Sequence, residues 1–297
     1  MGFFDHLPWS KRARPREPHA QSGRIPEPPA DEPGEKPRPS AERVLARARA
    51  LAALVGRASL EREVAQGEYT ARENEPIRRN LLGWIKQSGL NPELEAEEHR
   101  FLATSVGRAS ERDLIDAEWR SEGLAVLMWA LQRFELPQYD QGSTEDLAAE
   151  RIGFLSSVSE ADRSQPPLLR PSREINRFQS HITIVSWRLT QFRLSREHPL
   201  YQVALSGLGT GRTGVGEGMD FVGYLRAHPS FKGYWLDGLK VVEGDLAIGD
   251  SSIAKASRED VKKRTSIVTE RQIASYWLLG DDEIYSKVNA ATLLSAC

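Results

Sequence analysis

The stretch AEWRSEGLAVLMWALQRFEL, residues 117–136, decides how the chain folds. At the roughly 100° per residue of an α-helix, Leu124, Leu127, Met128, Leu131 and Phe134 fall on one apolar face. Trp119, Val126, Trp129 and Ala130 make a second apolar stripe. A helix that is apolar on two faces belongs at the centre of a bundle. Yet Arg120 points into the first face and Glu122 lies on the second. Charges there must be paired, because an unpaired buried charge is strongly destabilising.

Working outward, the closing stretch TERQIASYWLLG supplies a partner. Ile267, Ile273, Ala274, Trp277 and Leu278 share a helix face, Glu270 sits in its middle and Arg271 at its margin. Glu270 is expected to reach Arg120, or else Arg188 beside Trp187. Arg120, Glu122, Arg188, Glu270 and Arg271 then form a candidate buried polar cluster, with Trp119, Trp129, Trp187 and Trp277 as candidate aromatic walls. Two readings stay open. One is a salt-bridge network that fixes helix register. The other is a tryptophan-walled pocket in which a carboxylate of perturbed pKa binds or turns over a ligand. The first is the simpler and is taken as the expectation.

The rest of the chain reads as further helices. Val44, Leu45, Ala48, Leu51, Val55 and Ala58 recur at helical spacing behind Ser40, a fitting N-cap. Residues 73–87 form a second helix, with Pro76 in the first turn and Gly89 past the end. Asn91-Pro92 opens a third, running to about Val106. Ser110-x-x-Asp113 and Ser143-x-x-Asp146 are capping boxes; the first starts a helix to Phe134, the second one over residues 147–155. VGRAS, at 55–59 and again at 106–110, reads each time as a helix stop followed by a new cap. Residues 164–172 are a linker. Ile175, Phe178, Ile182, Val185, Leu189 and Phe192 continue the helical step, although the β-branched ITIV centre leaves a strand open. Residues 240–253 suggest a short hairpin with turns at Gly244-Asp245 or Gly249-Asp250, and a last helix covers about 258–279.

Composition narrows the function. A chain of 297 residues with 28% charged residues and a formal net charge of −2 is poorly suited to neutralising many phosphates, so no nucleic-acid partner is expected. No apolar run approaches a membrane span, and the N-terminus lacks the pattern of a secretory signal. The single cysteine, Cys297, argues against disulfides, a cysteine metal site and a thiol nucleophile. A cytoplasmic location fits. Residues 1–40 hold 9 of the 17 prolines and read as a disordered tail. Within it Phe3, Phe4, Leu7 and Trp9 precede Lys11, Arg12, Arg14 and Arg16, so residues 1–16 could touch a membrane surface weakly or dock on a partner.

Common enzyme signatures find little support. The run Gly209-x-Gly211-x-x-Gly214 lacks the strand, helix and acidic residue of a dinucleotide fingerprint and reads as a surface loop. The six histidines show no metal-binding spacing, and Glu95, Glu98 and His99 read as surface charge. No catalytic residue, metal or cofactor is assigned.

Three stretches carry a resemblance to a bacterial family known only as domain-of-unknown-function family 4272. They are RVLARARALAALV at 43–55, WRSEGLAVLMWAL at 119–131, and GDLAIGDSSI followed by ERQIASYWLLGDDEIYSKV at 244–253 and 270–288. SWRL at 186–189 also looks like a family element. The resemblance implies that Trp119, Arg120, Glu122, Trp129, Glu270, Arg271 and Trp277 are family-type positions, and it implies no reaction. The expectation is therefore a mainly α, bundle-like domain over 41–297, with a short β-hairpin in its C-terminal third and a division into subdomains 41–163 and 172–297. Its expected role is a non-catalytic interaction module with an unknown protein partner. The alternatives are an enzyme or ligand-binding protein using the charged cluster, and a membrane adaptor held by the tail.

Overall fold

The computed structural model describes residues 37–143, 152–155, 166–197, 220–227, 229–236 and 238–289. The Pro-rich tail with its aromatic peptide, the glycine loop and most of the helix expected after Ser143 lie outside these residues. Seven α-helices and one small sheet make up the described part, so the protein is mainly α.

Ser40 caps α1 (Ala41–Ala65), its hydroxyl accepting the Arg43 amide. The helix runs unbroken through the first VGRAS, and Ser59 returns its hydroxyl to the Val55 carbonyl inside the helix. Thr70 and Glu73 form a capping box for α2 (Ala71–Gln87), which starts ahead of the expected Glu73 and takes Pro76 into its second turn. The expected third helix is two pieces, a 3₁₀ turn at Asn91–Glu93 and α3 (Ala96–Ala103), because Leu94 and Glu95 are extended between them. Ser110 caps α4 (Glu111–Ala130). This helix stops short of Phe134 because Gln132 takes a left-handed φ of 59°.

The ITIV segment is helical within α5 (Ser172–Glu197), and α6 (Phe221–Ala227) follows. The expected hairpin carries a third strand: β1 (Val241–Val242), β2 (Asp245–Ile248) and β3 (Ser251–Ser252) are antiparallel in that order. Two-residue turns join them, with Glu243 and Gly244 both at positive φ as such tight turns require. Ser257 caps α7 (Arg258–Leu278), and the chain then returns through a 3₁₀ turn at Tyr285–Lys287.

In space the long helices run in the order α1, α4, α7, α5. Gly123 to Met128 of α4 are all buried, as a central helix requires. Two apolar clusters result. One joins α1 to α4, the C-terminal half of α7, Tyr285 and Val288. The other joins α5 and α6 to the sheet and to Val261 and Val268 of α7. Helix α7 is thus shared by both cores.

Candidate functional site

The charged positions on α4 and α7 face one another across the first core. Arg120 meets Glu270 at 3.0 Å, the two side chains being 18% and 15% exposed. Beside them lies Tyr285, whose ring is sandwiched between the guanidinium of Arg47, 4.6 Å from its centroid, and that of Arg120 at 5.5 Å. Arg47 in turn forks onto Glu98 at 2.5 and 2.9 Å. The result is a row Glu98, Arg47, Tyr285, Arg120, Glu270 in which two acids balance two bases around an aromatic face. Burial pushes the Glu270 carboxyl up against the pull of Arg120, and burial also raises the Tyr285 phenol. Glu98 and Arg47 correct the sequence reading. Glu98 is 8% exposed and belongs to the core, although its neighbours Glu95 and His99 read as one surface group with it.

Arg271 and Glu122 form a separate arrangement. Arg271 is 1% exposed, not marginal. Its Nε and Nη2 lie 3.0 and 2.9 Å from Glu122 Oε2. Its Nη1 donates to the carbonyls of Pro137 and Gln138, and Nη2 to that of Gln141. Glu122 also accepts the Ser143 amide at 2.7 Å and its hydroxyl at 2.9 Å. Charge and carbonyls together clamp the loop that follows α4.

Arg188 joins neither arrangement. It forks onto Asp245 of β2 in the second core, with Nε to Oδ1 at 2.7 Å and a second bond from Nη2 to Oδ2. The five candidate charges are therefore three separate pairings, with Asp245 supplying a partner that the sequence reading did not name. The four tryptophans wall no common cavity either. Trp187 stacks on Tyr224 at 5.5 Å in the second core. Trp277 meets Tyr285 edge-on at 5.9 Å. Trp119 sits in an open groove of about 510 Å³ with Arg62, Lys263 and Glu122.

Trp129 lines a cavity of about 250 Å³ between the α4–α5 loop, α5 and the lead into the sheet. Leu136, Phe178, Ile182 and Val185 are its apolar walls, and Tyr139 and His181 add polar atoms. The clamped loop forms one side. Tyr139 bridges to the sheet, donating to the Ala247 carbonyl at 2.7 Å, and Asp140 accepts the Gly249 amide at 2.6 Å. Burial, reinforced by Arg177, holds the His181 imidazole below the usual histidine range, and its buried Nε2 has no partner among the described residues. Among the described residues no three His, Cys, Asp or Glu side chains gather as around a metal ion, and no helix is long and apolar enough to cross a membrane.

The fold and site define a mainly helical module whose buried ion pairs brace its loops. A family model described as a domain of unknown function, DUF4272, matches residues 25–205, and the chain belongs to that family. The match takes in the opening helix, WRSEGLAVLMWAL and SWRL. It begins inside the Pro-rich segment, and the closing stretch read as the family's end lies beyond it. Neither a curated protein nor a solved structure matches the chain.

Proposed function

We propose that the chain is a non-catalytic interaction module of the bacterial cytoplasm that works by contact with a protein partner, with residues 1–40 as its tether. The observation that supports this is the closure of the Arg271 and Glu122 pair. Every Arg271 nitrogen and both Glu122 oxygens are engaged inside the protein. A general acid or base needs an atom within reach of substrate, and these groups offer none. Glu122 does border the groove at Trp119, but with its oxygens already taken. The charges brace the frame, and recognition falls to the surfaces the frame holds in place.

The test is affinity purification of the full chain from its native host, followed by mass spectrometry. A stoichiometric protein partner that survives salt washing is the expected result. Recovery of the chain alone at native expression level, with no partner after cross-linking, would overturn the reading.

A further inference from the structure

Four bases converge on one groove between the end of α5 and the start of α7. Arg193 and Arg196 come from the last turns of α5, Arg258 and Lys262 from the first turns of α7, and the groove they line is about 840 Å³. All four are exposed. The acid in the lining, Glu197, meets Arg258 at 3.4 Å. No acid among the described residues pairs with Arg193, Arg196 or Lys262. The acids in the first turn of α7 do not cancel this charge. Asp260 is held by the Ser257 hydroxyl and by Arg264 at 2.7 Å, and Glu259 lies outside the lining. Two features set the groove apart from an ordinary solvated face. Arg196 is held in place, its Nη1 donating to the Ala256 carbonyl at 3.2 Å and its guanidinium 4.8 Å from the Phe192 ring centroid. A fork fixed in this way loses less freedom when it binds. Arg258 and Lys262 stand at the positive end of α7, where a base opposes the helix dipole and an anion is favoured.

The occupant follows from charge and openness. Bases this exposed do not enclose a small ligand, whereas a small-molecule pocket buries about 70–90% of its ligand's surface. A nucleic-acid strand draws its affinity from many phosphates, and this is one groove on a chain of net charge −2. A segment carrying a few carboxylates fits both, since guanidinium forks match carboxylates. The geometry points to a docking groove for an acidic segment of a partner polypeptide, its carboxylates meeting Arg193, Arg196 and Lys262. This rests on the proposed interaction role and names the chemistry that role would recognise.

The test is fluorescence anisotropy of the full chain with a labelled peptide, Asp-Glu-Glu-Asp-Glu-Asp, and its amide analogue, Asn-Gln-Gln-Asn-Gln-Asn. The acidic peptide should bind saturably, about tenfold or more tighter than the amide, and weaken as salt rises. Arg193→Glu/Lys262→Glu alters two exposed side chains and should weaken binding roughly tenfold or more. Lys86→Glu/Lys287→Glu makes the same net charge change away from the groove, on α2 and beyond the end of α7. It should weaken binding by less than about twofold. Absence of saturable binding, or equal binding of the two peptides to the unaltered chain, overturns the proposal without needing a variant to fold. Equal weakening by the two double variants also overturns it. Tighter binding of pyrophosphate or of a labelled oligothymidylate overturns it in favour of a phosphate ligand. A dimer that Arg193→Glu/Lys262→Glu dissolves overturns it in favour of a second copy of the chain. None of these probes involves the natural partner, so failure here leaves the interaction role standing. Recovery of no partner with intact peptide binding would instead remove that role alone.

Discussion

Replacing Gly123 with alanine tests the packing at the centre of the molecule. On an ordinary helix this change stabilises by about 1 kcal/mol, because glycine loses more backbone freedom on folding. Here a Cβ would lie 2.1 Å from the Tyr285 hydroxyl oxygen, 3.3 Å from its Cζ and 3.6 Å from Leu51 Cδ1. The first contact is an overlap of about 1 Å, and Tyr285 is held between two guanidiniums with little room to yield. Overpacking costs about 1–3 kcal/mol, and expelling the ring would cost about 3–5. Net of the helical gain, Gly123→Ala should destabilise by up to about 4 kcal/mol in place of stabilising. Tyr285→Phe removes the clashing oxygen, which has no hydrogen-bond partner among the described residues. That single change should be neutral or stabilise by about 1 kcal/mol. In the Tyr285→Phe background the nearest atom to the new methyl is the ring carbon, a contact that a shift of a few tenths of an ångström relieves. Gly123→Ala should there approach neutrality or become stabilising. Urea unfolding of the four proteins gives the coupling directly, expected at about 2 kcal/mol. Additivity within about 0.5 kcal/mol would refute the account.

Removing Arg271 strands the Glu122 carboxylate and three loop carbonyls, so Arg271→Ala should cost about 3–5 kcal/mol in urea unfolding. Arg271→Lys should fall in between, since an ammonium keeps the charge but not the fork. Arg120 and Glu270 keep some contact with solvent, so Arg120→Ala should cost less, about 1–3 kcal/mol; an unchanged Tm would dismiss that pair as a structural element. For His181 the folded pKa lies below the usual value of about 6.5. Below that pH the unfolded chain takes up a proton that the folded ring resists, so stability is full at neutral pH and declines as pH falls toward the folded pKa. Unfolding at about pH 7 and about pH 5.5 should show a drop that His181→Phe reduces; an equal drop in both proteins would contradict it.

How far these features were legible depends on whether the signal is local. Ser40 and Ser110 cap their helices as read, because a hydroxyl before an amphipathic run is a local device. The repeated VGRAS shows the limit. At 106–110 it is a turn that caps the next helix, the preceding one having already ended at Ala103, with Gly107 at φ 80° and Ser110 as the cap. At 55–59 the same five residues stay helical, because the surrounding turns are buried on all sides and Gly56 admits the Phe154 ring, which would stand 2.8 Å from a Cβ. Identical letters fold differently when tertiary contact outweighs propensity. The charges behave likewise. Angle counting placed Glu270 on a buried face, but pairing depends on distant chain: Asp245 for Arg188 and Tyr285 between Arg47 and Arg120 carry no local mark. Arg47 and Arg57 could have been suspected, since α1 is so rich in alanine and leucine that it leaves few solvated positions.

Five of the six buried arginines among the described residues follow one rule, which also explains why they are arginines; the sixth, Arg188, forks onto Asp245 instead. The last carbonyls of a helix lack intrahelical donors. Arg78 donates to the carbonyls of Leu102 and Ala103, and Arg57 to that of Thr104. Those are the C-terminal carbonyls of α3, which at eight residues is too short to persist in isolation. At its other end Glu98 closes the capping box while holding Arg47, and Arg47 also reaches the Glu93 carbonyl. Arg49 takes the Ile152 carbonyl, and Arg271 the three that follow α4. In each case a rigid helix sends a planar fork to the backbone of a chain reversal, and the forks of Arg47, Arg57 and Arg271 also take a carboxylate. A lysine ammonium could not satisfy several acceptors in that fixed geometry. The Arg271–Glu122 pair is therefore one instance of a device used repeatedly in this core, and it ties the loop at 132–143 to the helices that carry the charges.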